Sequence, residues 1–194
     1  MQNLTTFLQS RLPEKLLNVE DAQILLGDGN TPNIKGWGAS GNFTASSATT
    51  AQVLIEKIIT DIAALEDANE RDANFGLLRP ADYYSFFLNK ATGSGEYDLP
   101  QGVVFNNGVL YILGVPFYPS TAVKKDTTNG NDYYVGDLNG ANIMQQEAMR
   151  IEFFEQDGTN VRENKITVRI EETIALPVYG ADYLIKGNTK VSAT

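Results

Sequence analysis

The sequence contains no cysteine and no histidine. These two absences exclude disulfides, thiolate zinc sites, cysteine nucleophiles and every histidine-based triad or ligand set. Catalysis is left with carboxylate, lysine, tyrosine and hydroxyl chemistry, and metal binding with all-oxygen calcium or magnesium sites. Basic charge is also scarce: 15 Lys and Arg stand against 24 Asp and Glu, for a net charge of -9. No basic cluster exceeds the pair Lys124-Lys125. A compact nucleic-acid binder carries a basic excess, so direct recognition of DNA or RNA is not expected. No apolar run approaches the ~18 residues that suggest a membrane span. The opening MQNLTTFLQSRLPEK lacks the basic start and apolar centre of a signal peptide, which leaves synthesis in the cytoplasm as the expectation.

What is present is an ordinary globular balance, with 42% apolar residues over 194. Such a length suits one large domain or two small ones. Leu4, Leu8, Leu12, Leu16 and Val19, with Phe7 and Ile24, recur at steps of three and four and predict a helix over 4–26. Pro13 removes one backbone donor and is expected to kink or split it. Residues 27–48 are rich in Gly, Asn, Ser and Thr and read as a long ordered loop or a segment with short strands at a boundary between two units, with Trp37 pinning it onto a core. A second helix is predicted over 50–66, capped by Thr49 or Thr50, with Leu54, Ile58, Ile62 and Leu65 on one face. Residues 75–78 read as a short strand. Pro80 opens a third helix, Asp82 complements its dipole, and the aromatic cluster Tyr83 to Leu88 is read as core.

Beyond ATGSGEYD (residues 91–98) the pattern turns to strands. Val103–Phe105 and Val109–Leu113 flank Asn106-Asn107-Gly108, a hairpin signal. Gly114-Val115-Pro116 breaks the run, Phe117-Tyr118 resumes it, and Tyr133–Val135 ends at Gly136-Asp137. Strands are predicted at 150–154 and 164–176, joined by a turn at Gln156-Asp157-Gly158. In the second, Ile166, Val168 and Ile170 face one way and Lys165, Thr167, Arg169 and Glu171 the other. Tyr183–Ile185 adds a last strand, and the tail after it is expected to fray. Helices and strands intersperse without strict βαβ alternation, so the predicted class is α+β.

Two local motifs are tempting. GDGNTP lacks the Gly-Lys-Ser/Thr ending of a phosphate loop and follows a helix, so it reads as a tight turn. Glu171 and Glu172 are adjacent on a strand and point to opposite faces, so they cannot form a two-carboxylate hydrolytic site by themselves. A carboxylate-based hydrolase is the rival from another class, and the sequence offers it no pair at suitable spacing. A phage-tail or adhesion β-module is opposed by the long first helix and the Pro-led third.

Several segments resemble, in order, those of tailed-bacteriophage major capsid proteins. QILLGDGNTPNIKGW is similar to the end of their long spine helix and its Gly-rich turn. FGLLRPADYYSFFLNKATGSGEY resembles their strand and Pro-led helix, and LYILGVPFYPS and YYVGDL resemble strand ends. VRENKITVRIEETIALPVYGADYLIKG resembles their C-terminal strand pair. The resemblance covers residues 20–187 and implies the HK-ninety-seven-like capsid fold, shared with encapsulin nanocompartments. It implies a spine helix and first part of a peripheral (P) domain over 1–49, an axial (A) domain over 50–150, return strands of the peripheral domain over 151–190, and a tail at 191–194.

The function implied is that of a structural subunit, not an enzyme, in an icosahedral phage or prophage shell enclosing DNA, with an encapsulin-like compartment shell as the alternative. Its partners would be copies of itself, in hexamers and pentamers, and packaged DNA held without specific recognition. No cofactor, metal or membrane is implied, and the location would be the virion, after synthesis in the bacterial host cytoplasm. The family's N-terminal arm and extended loop are not found in this sequence, so the chain is expected to stay a monomer or small oligomer at micromolar concentration. Some members cross-link a Lys of that loop to an Asn of a neighbour with help from a Glu of a third subunit. By position Asn164 matches the Asn and Glu171 the Glu. Seven residues apart on a straight strand, they would face opposite ways and meet only through different subunits. The plainer reading is that Asn164 opens its strand by bonding the preceding turn.

Overall fold

The computed structural model describes residues 2–67, 69–88, 99–128, 130–156 and 158–190. The expected turns at 91–98 and at Asp157, and the fraying tail at 191–194, lie outside them. In chain order the elements are α1 (Gln2–Leu26), β1 (Thr44–Ala45), α2 (Leu54–Asp67), β2 (Phe75–Leu78), α3 (Pro80–Ser85) running into a 3-10 turn at Phe86–Leu88, then β3 (Val103–Asn106), β4 (Val109–Ile112), β5 (Val115–Pro119), β6 (Asp132–Gly136), β7 (Met144–Phe154), α4 (Asn160–Glu163), β8 (Thr167–Ala175) and β9 (Leu184–Asn188). Seven strands form one mixed sheet in the order β1-β9-β6-β2-β5-β4-β3, and β7 and β8 form a separate antiparallel ribbon. The α+β class expected from the sequence is what is found.

The outer half of the sheet is a meander made by two tight turns. Asn107 and Gly108 both take positive φ (49° and 82°), as do Leu113 and Gly114 (50° and 86°). Paired positive φ gives the backbone twist that two-residue hairpins need, and Gly supplies it without a Cβ clash. The second turn shows that the break expected at Gly114-Val115-Pro116 is narrower: Val115 already pairs with Ile112, and Pro116 with Tyr111.

Each face of the sheet has its own core. On the first, α2 and α3 bring Ile58, Ile62, Tyr83 and Phe86 against Leu78, Leu110, Phe117 and Tyr133. On the second, Leu25 at the end of α1 packs with Trp37, Phe75, Tyr134 and Leu184. Trp37 is 7% exposed and its ring lies 5.4 Å from that of Phe75, so it pins the 27–48 loop as expected. The flanking glycines let the loop come this close: a Cβ on Gly38 would sit 2.7 Å from the Leu25 carbonyl oxygen.

Polar groups stitch the first core to the chain ends. Asp61 is fully buried and accepts hydrogen bonds from Ser46 Oγ and Tyr133 Oη, each 2.6 Å. Buried Lys57, one turn earlier on α2, donates to the carbonyls of Asn188 and Lys190. Burial pushes Asp61 up and Lys57 down from their ordinary pKa values; the hydroxyls and the Lys57 charge hold Asp61 back, and the Asp61 charge holds Lys57 back.

Several expectations need correction. α1 runs unbroken through Pro13; Gln9, whose carbonyl loses that donor, lies on an exposed stretch where water can serve. Its apolar stripe is not core: Leu4, Phe7 and Val19 are 61%, 57% and 57% exposed, while Leu8, Leu12 and Leu16 are half-buried. α2 starts at Leu54 rather than after Thr49, because Glu56 reaches back to accept from the Val53 amide, as the third residue of a capping box does. The aromatic cluster is divided: Tyr83 and Phe86 are buried, but Tyr84 is 56% exposed. Finally, β9 and β1 lie in the seven-stranded sheet, paired with β6 and with each other, so this sheet takes in chain from both sides of residues 50–150.

These burial differences rank two leucine-sized truncations. Ile58→Ala should cost roughly 2–5 kcal/mol, as a fully buried site does. Leu16→Ala, half-buried on α1, should cost about 1 kcal/mol. Urea unfolding of the two variants checks the order, and equal losses would show that α1 is anchored as firmly as the sheet core.

Candidate functional site

The part of the molecule least satisfied on its own is formed by α1 and the β7–β8 ribbon. α1 lies along β8, where Leu16, Glu20 and Gln23 line a cleft with Glu172 and Ile174. Beyond this seam, large apolar side chains stand in solvent: Leu17 on α1, Met144 and Phe153 on β7, Val161 on α4 and Ile166 before β8 are between 39% and 74% exposed. Scattered exposed apolar groups are normal; here several fall on α1, α4 and the ribbon.

The ribbon's two faces differ in chemistry. Ile151 pairs with Ile170 and Phe153 with Val168 on one face; Arg150 pairs with Glu171 and Glu152 with Arg169 on the other. The four charged side chains form a continuous ladder, with Arg150 on Glu171, Arg169 Nε 3.1 Å from Glu171, and Arg169 on Glu152. The hydrogen bond from Arg169 holds the Glu152 carboxyl below its usual range. Each such surface pair is worth at most about 1 kcal/mol, so the ladder fixes register and leaves stability to the apolar face.

The two candidate cross-link residues lie apart in character. Asn164 is not in a strand. It closes α4 in the left-handed conformation (φ 51°), its amide donating to the Asn160 carbonyl, and β8 begins three residues later. The strand-parity argument for facing directions therefore does not apply to it. Glu171 sits mid-strand with both its oxygens engaged by Arg150 and Arg169, not in an apolar pocket. A residue that sequence reasoning passed over, Asn160, is the one that is buried: its side chain donates to the Phe154 carbonyl and to Thr167 Oγ1, closing the ribbon's tip. A polar Asn in a solvent-facing turn gives no sequence signal for that role.

The GDGNTP segment is a turn, as read. Asp28 accepts from the Asn30 and Asn33 side chains and the Asn30 amide, and these bonds pull its carboxyl down to about 2. Among the described residues no group of three acidic side chains is placed to hold a metal ion, and no helix is long and apolar enough to cross a membrane. At the α1–β8 seam Glu20 lies against Glu172. Partial burial raises the Glu20 pKa, and the neighbouring Glu172 carboxylate adds to it.

Comparison with known proteins gives a consistent picture. The sequence matches the profile of the Phage capsid family over residues 1–189. It is 25% identical over 185 residues to the major capsid protein of Enterobacteria phage HK97, an alignment covering 95% of this chain. The chain thus spans about half, 46%, of that relative's length. Among solved structures, its fold is similar to that of the capsid of an empty GTA particle, with a TM-score of 0.69 and 16% identity over 97% of this chain and 66% of that one. It is also similar to the SrpI encapsulin of Synechococcus elongatus, with a TM-score of 0.59 and 16% identity over 96% of this chain and 67% of that one. At such identities the structural likeness establishes the fold.

The Glu20–Glu172 contact generates a pH dependence. The folded-state pKa of Glu20 lies above its unfolded value of about 4.3. Its favourable contribution is therefore complete below that value and is lost as pH rises through the folded pKa. Glu20→Gln should raise the melting temperature at neutral pH, with the gain vanishing near pH 4. A gain that is constant across this range would show that the two carboxyls do not interact.

Proposed function

Because the chain belongs to the Phage capsid family, as its match over residues 1–189 shows, we propose that it is a structural subunit of a phage or prophage capsid shell enclosing DNA. The observation that carries this reading is the extent of that match together with a fold whose long helix and ribbon leave apolar groups unpartnered. A shell subunit needs a rigid body with several contact surfaces, each individually weak, because every copy makes many contacts at once. The peripheral unit would be α1 with the ribbon. The axial unit would be the seven-stranded sheet with α2 and α3, drawn from residues 50–150 and joined by β1 and β9. Copies would gather as pentamers and hexamers. A net charge of -9 suits packaged DNA that is held without adhesion or specific recognition. The subunit would be made in the bacterial host cytoplasm, reside in the virion, and need neither cofactor nor catalytic activity.

The similarity to an encapsulin supports a second reading, a shell around a protein cargo. The two readings share the fold and the self-association and differ in contents.

Cross-linking is not part of the proposed function. The Glu171 carboxylate is occupied by two guanidinium groups, whereas activating a lysine amine needs a carboxylate free to accept its proton. Concentrated protein should show no covalent dimers on denaturing gels. A ladder that disappeared in Asn164→Asp or Glu171→Ala would overturn this and make the protein self-modifying.

Association itself tests the shell reading. Sedimentation of the purified chain should show monomer or small oligomer at micromolar concentration and growth toward five- or six-membered assemblies as concentration rises, with rings in negative-stain images. A strictly monomeric chain up to its solubility limit would contradict it.

A further inference from the structure

The seven-stranded sheet ends at β1, and β1 is too short to cover its neighbour. It pairs only Thr44 and Ala45, with Ile185 and Lys186 of β9. β9 runs on to Asn188, and beyond it the chain still keeps to β6, since the Thr189 amide donates to the Asn131 carbonyl. Successive residues of a strand turn their backbone groups to opposite neighbours. Thr189 faces β6, so Asn188 and Lys190 face the outer edge, as Lys186 does where its carbonyl accepts from the Ser46 amide. Past that bond no strand among the described residues pairs with this edge. Ser46 shows why β1 stops. Its hydroxyl accepts from the Ala48 amide and donates to the buried Asp61, and these bonds draw the chain off β9 and onto α2.

The length of edge that β1 leaves is closed by side chains. Lys57 of α2, 2% exposed, donates from Nζ to the Asn188 carbonyl at 3.1 Å and to the Lys190 carbonyl. These carbonyls are two residues apart, the spacing at which a neighbouring strand would bond them. The Lys190 amide is taken by the Asn188 side-chain oxygen at 3.2 Å. A helix ammonium and an Asn side chain thus stand where the backbone groups of a further strand would. An open sheet edge is a template for pairing with another chain, and charge, above all lysine, is what discourages it. The ammonium is well suited to that role. It repels the amide of an arriving strand, and once displaced it would be left buried without its acceptors. The Asp61 carboxylate, one turn further along α2, favours its charged form.

We propose that Lys57 is a plug on the outer edge of β9, and that with Asn188 it keeps this edge from adding a strand of another molecule, in the first place β9 of a second copy. The plug comes from a helix and not from the strand itself, so it reaches the carbonyls directly and leaves the faces of β9 free for the two cores. The same two bonds that tie the chain end to α2 therefore also decide what the molecule does not bind. This holds whether or not the chain forms a shell.

Lys57→Met keeps a long unbranched side chain and removes every donor. Incubated at high concentration well below its melting temperature, it should form thioflavin-T-positive aggregate about tenfold faster than the wild type, a factor that corresponds to ~1.4 kcal/mol. Lys57→Arg can bond both carbonyls and finds room in the cavity of about 250 Å³ beside Lys57, so it should stay at the wild-type rate. Ile58→Val, a buried truncation on the same helix that leaves the edge closed, controls for lost stability: it should lower the melting temperature without aggregate. Asn188→Ala alters an exposed side chain, frees only the Lys190 amide and should give a smaller rise. Lys57→Met aggregating no faster than Ile58→Val at equal loss of melting temperature would reduce Lys57 to a structural tie and sink the proposal. Lys57→Arg aggregating like Lys57→Met would sink it too. Should Lys57→Met fail to fold, Asn188→Ala decides, and a wild-type rate for that variant would overturn the plug.

Discussion

β6 is the strand on which the rest of the structure depends. All five of its residues are buried, and two consecutive tyrosines divide its loyalties. Tyr133 points into the core beneath α2, where its hydroxyl bonds to the buried Asp61. Tyr134 points into the opposite core with Trp37 and Leu184. Because adjacent strand residues face opposite sides, this dipeptide couples the α2 layer to the end of α1 through one backbone. β6 also sits between β2 and β9, and so joins the middle of the chain to its last strand. The Asp61 carboxylate, Lys57 and the Asn188 and Lys190 carbonyls complete the same tie with hydrogen bonds, since charged groups so deep cannot be left without partners.

Away from β6 the fold becomes progressively less self-sufficient. The edge strand β3 is mostly exposed, and apart from Leu25 the ribbon and α1 bury little beyond their mutual seam. This gradient would suit the proposed shell subunit, with stability at its centre and contacts at its margins. A charged ladder on the ribbon keeps its register without making it an isolated hydrophobic body, and the turn around Asp28 closes the end of α1 through side-chain amides. Rigid centre and unsatisfied margin are what repeated weak association requires.

Much of this was legible in order along the chain. The 3.6-residue repeat of Ile58, Ile62 and Leu65, the Asn-Gly hairpin and the Pro80 helix start are local signals, and each survives in the structure. The alternation of Val168, Arg169, Ile170 and Glu171 is likewise local and holds. The leucine spacing of α1 gave the helix correctly but not its burial. Periodicity records that an apolar face exists; it carries no information on whether the partner for that face is in the same chain. Asn164 shows the same limit at small scale. Its side of the strand was inferred by counting, and one helical turn before β8 made the count irrelevant.

By itself, then, the sequence determined the class of the fold, most of its elements, and the chemistry closed to a chain without cysteine or histidine, because these depend on residue type and short-range spacing. Only the tertiary structure decided that β9 and β1 join the sheet, and that Asn160 rather than Asn164 is buried at the ribbon's tip. The reason is physical. Burial and pairing are relations between residues far apart in the chain, settled by which faces find cover once β6 is in place.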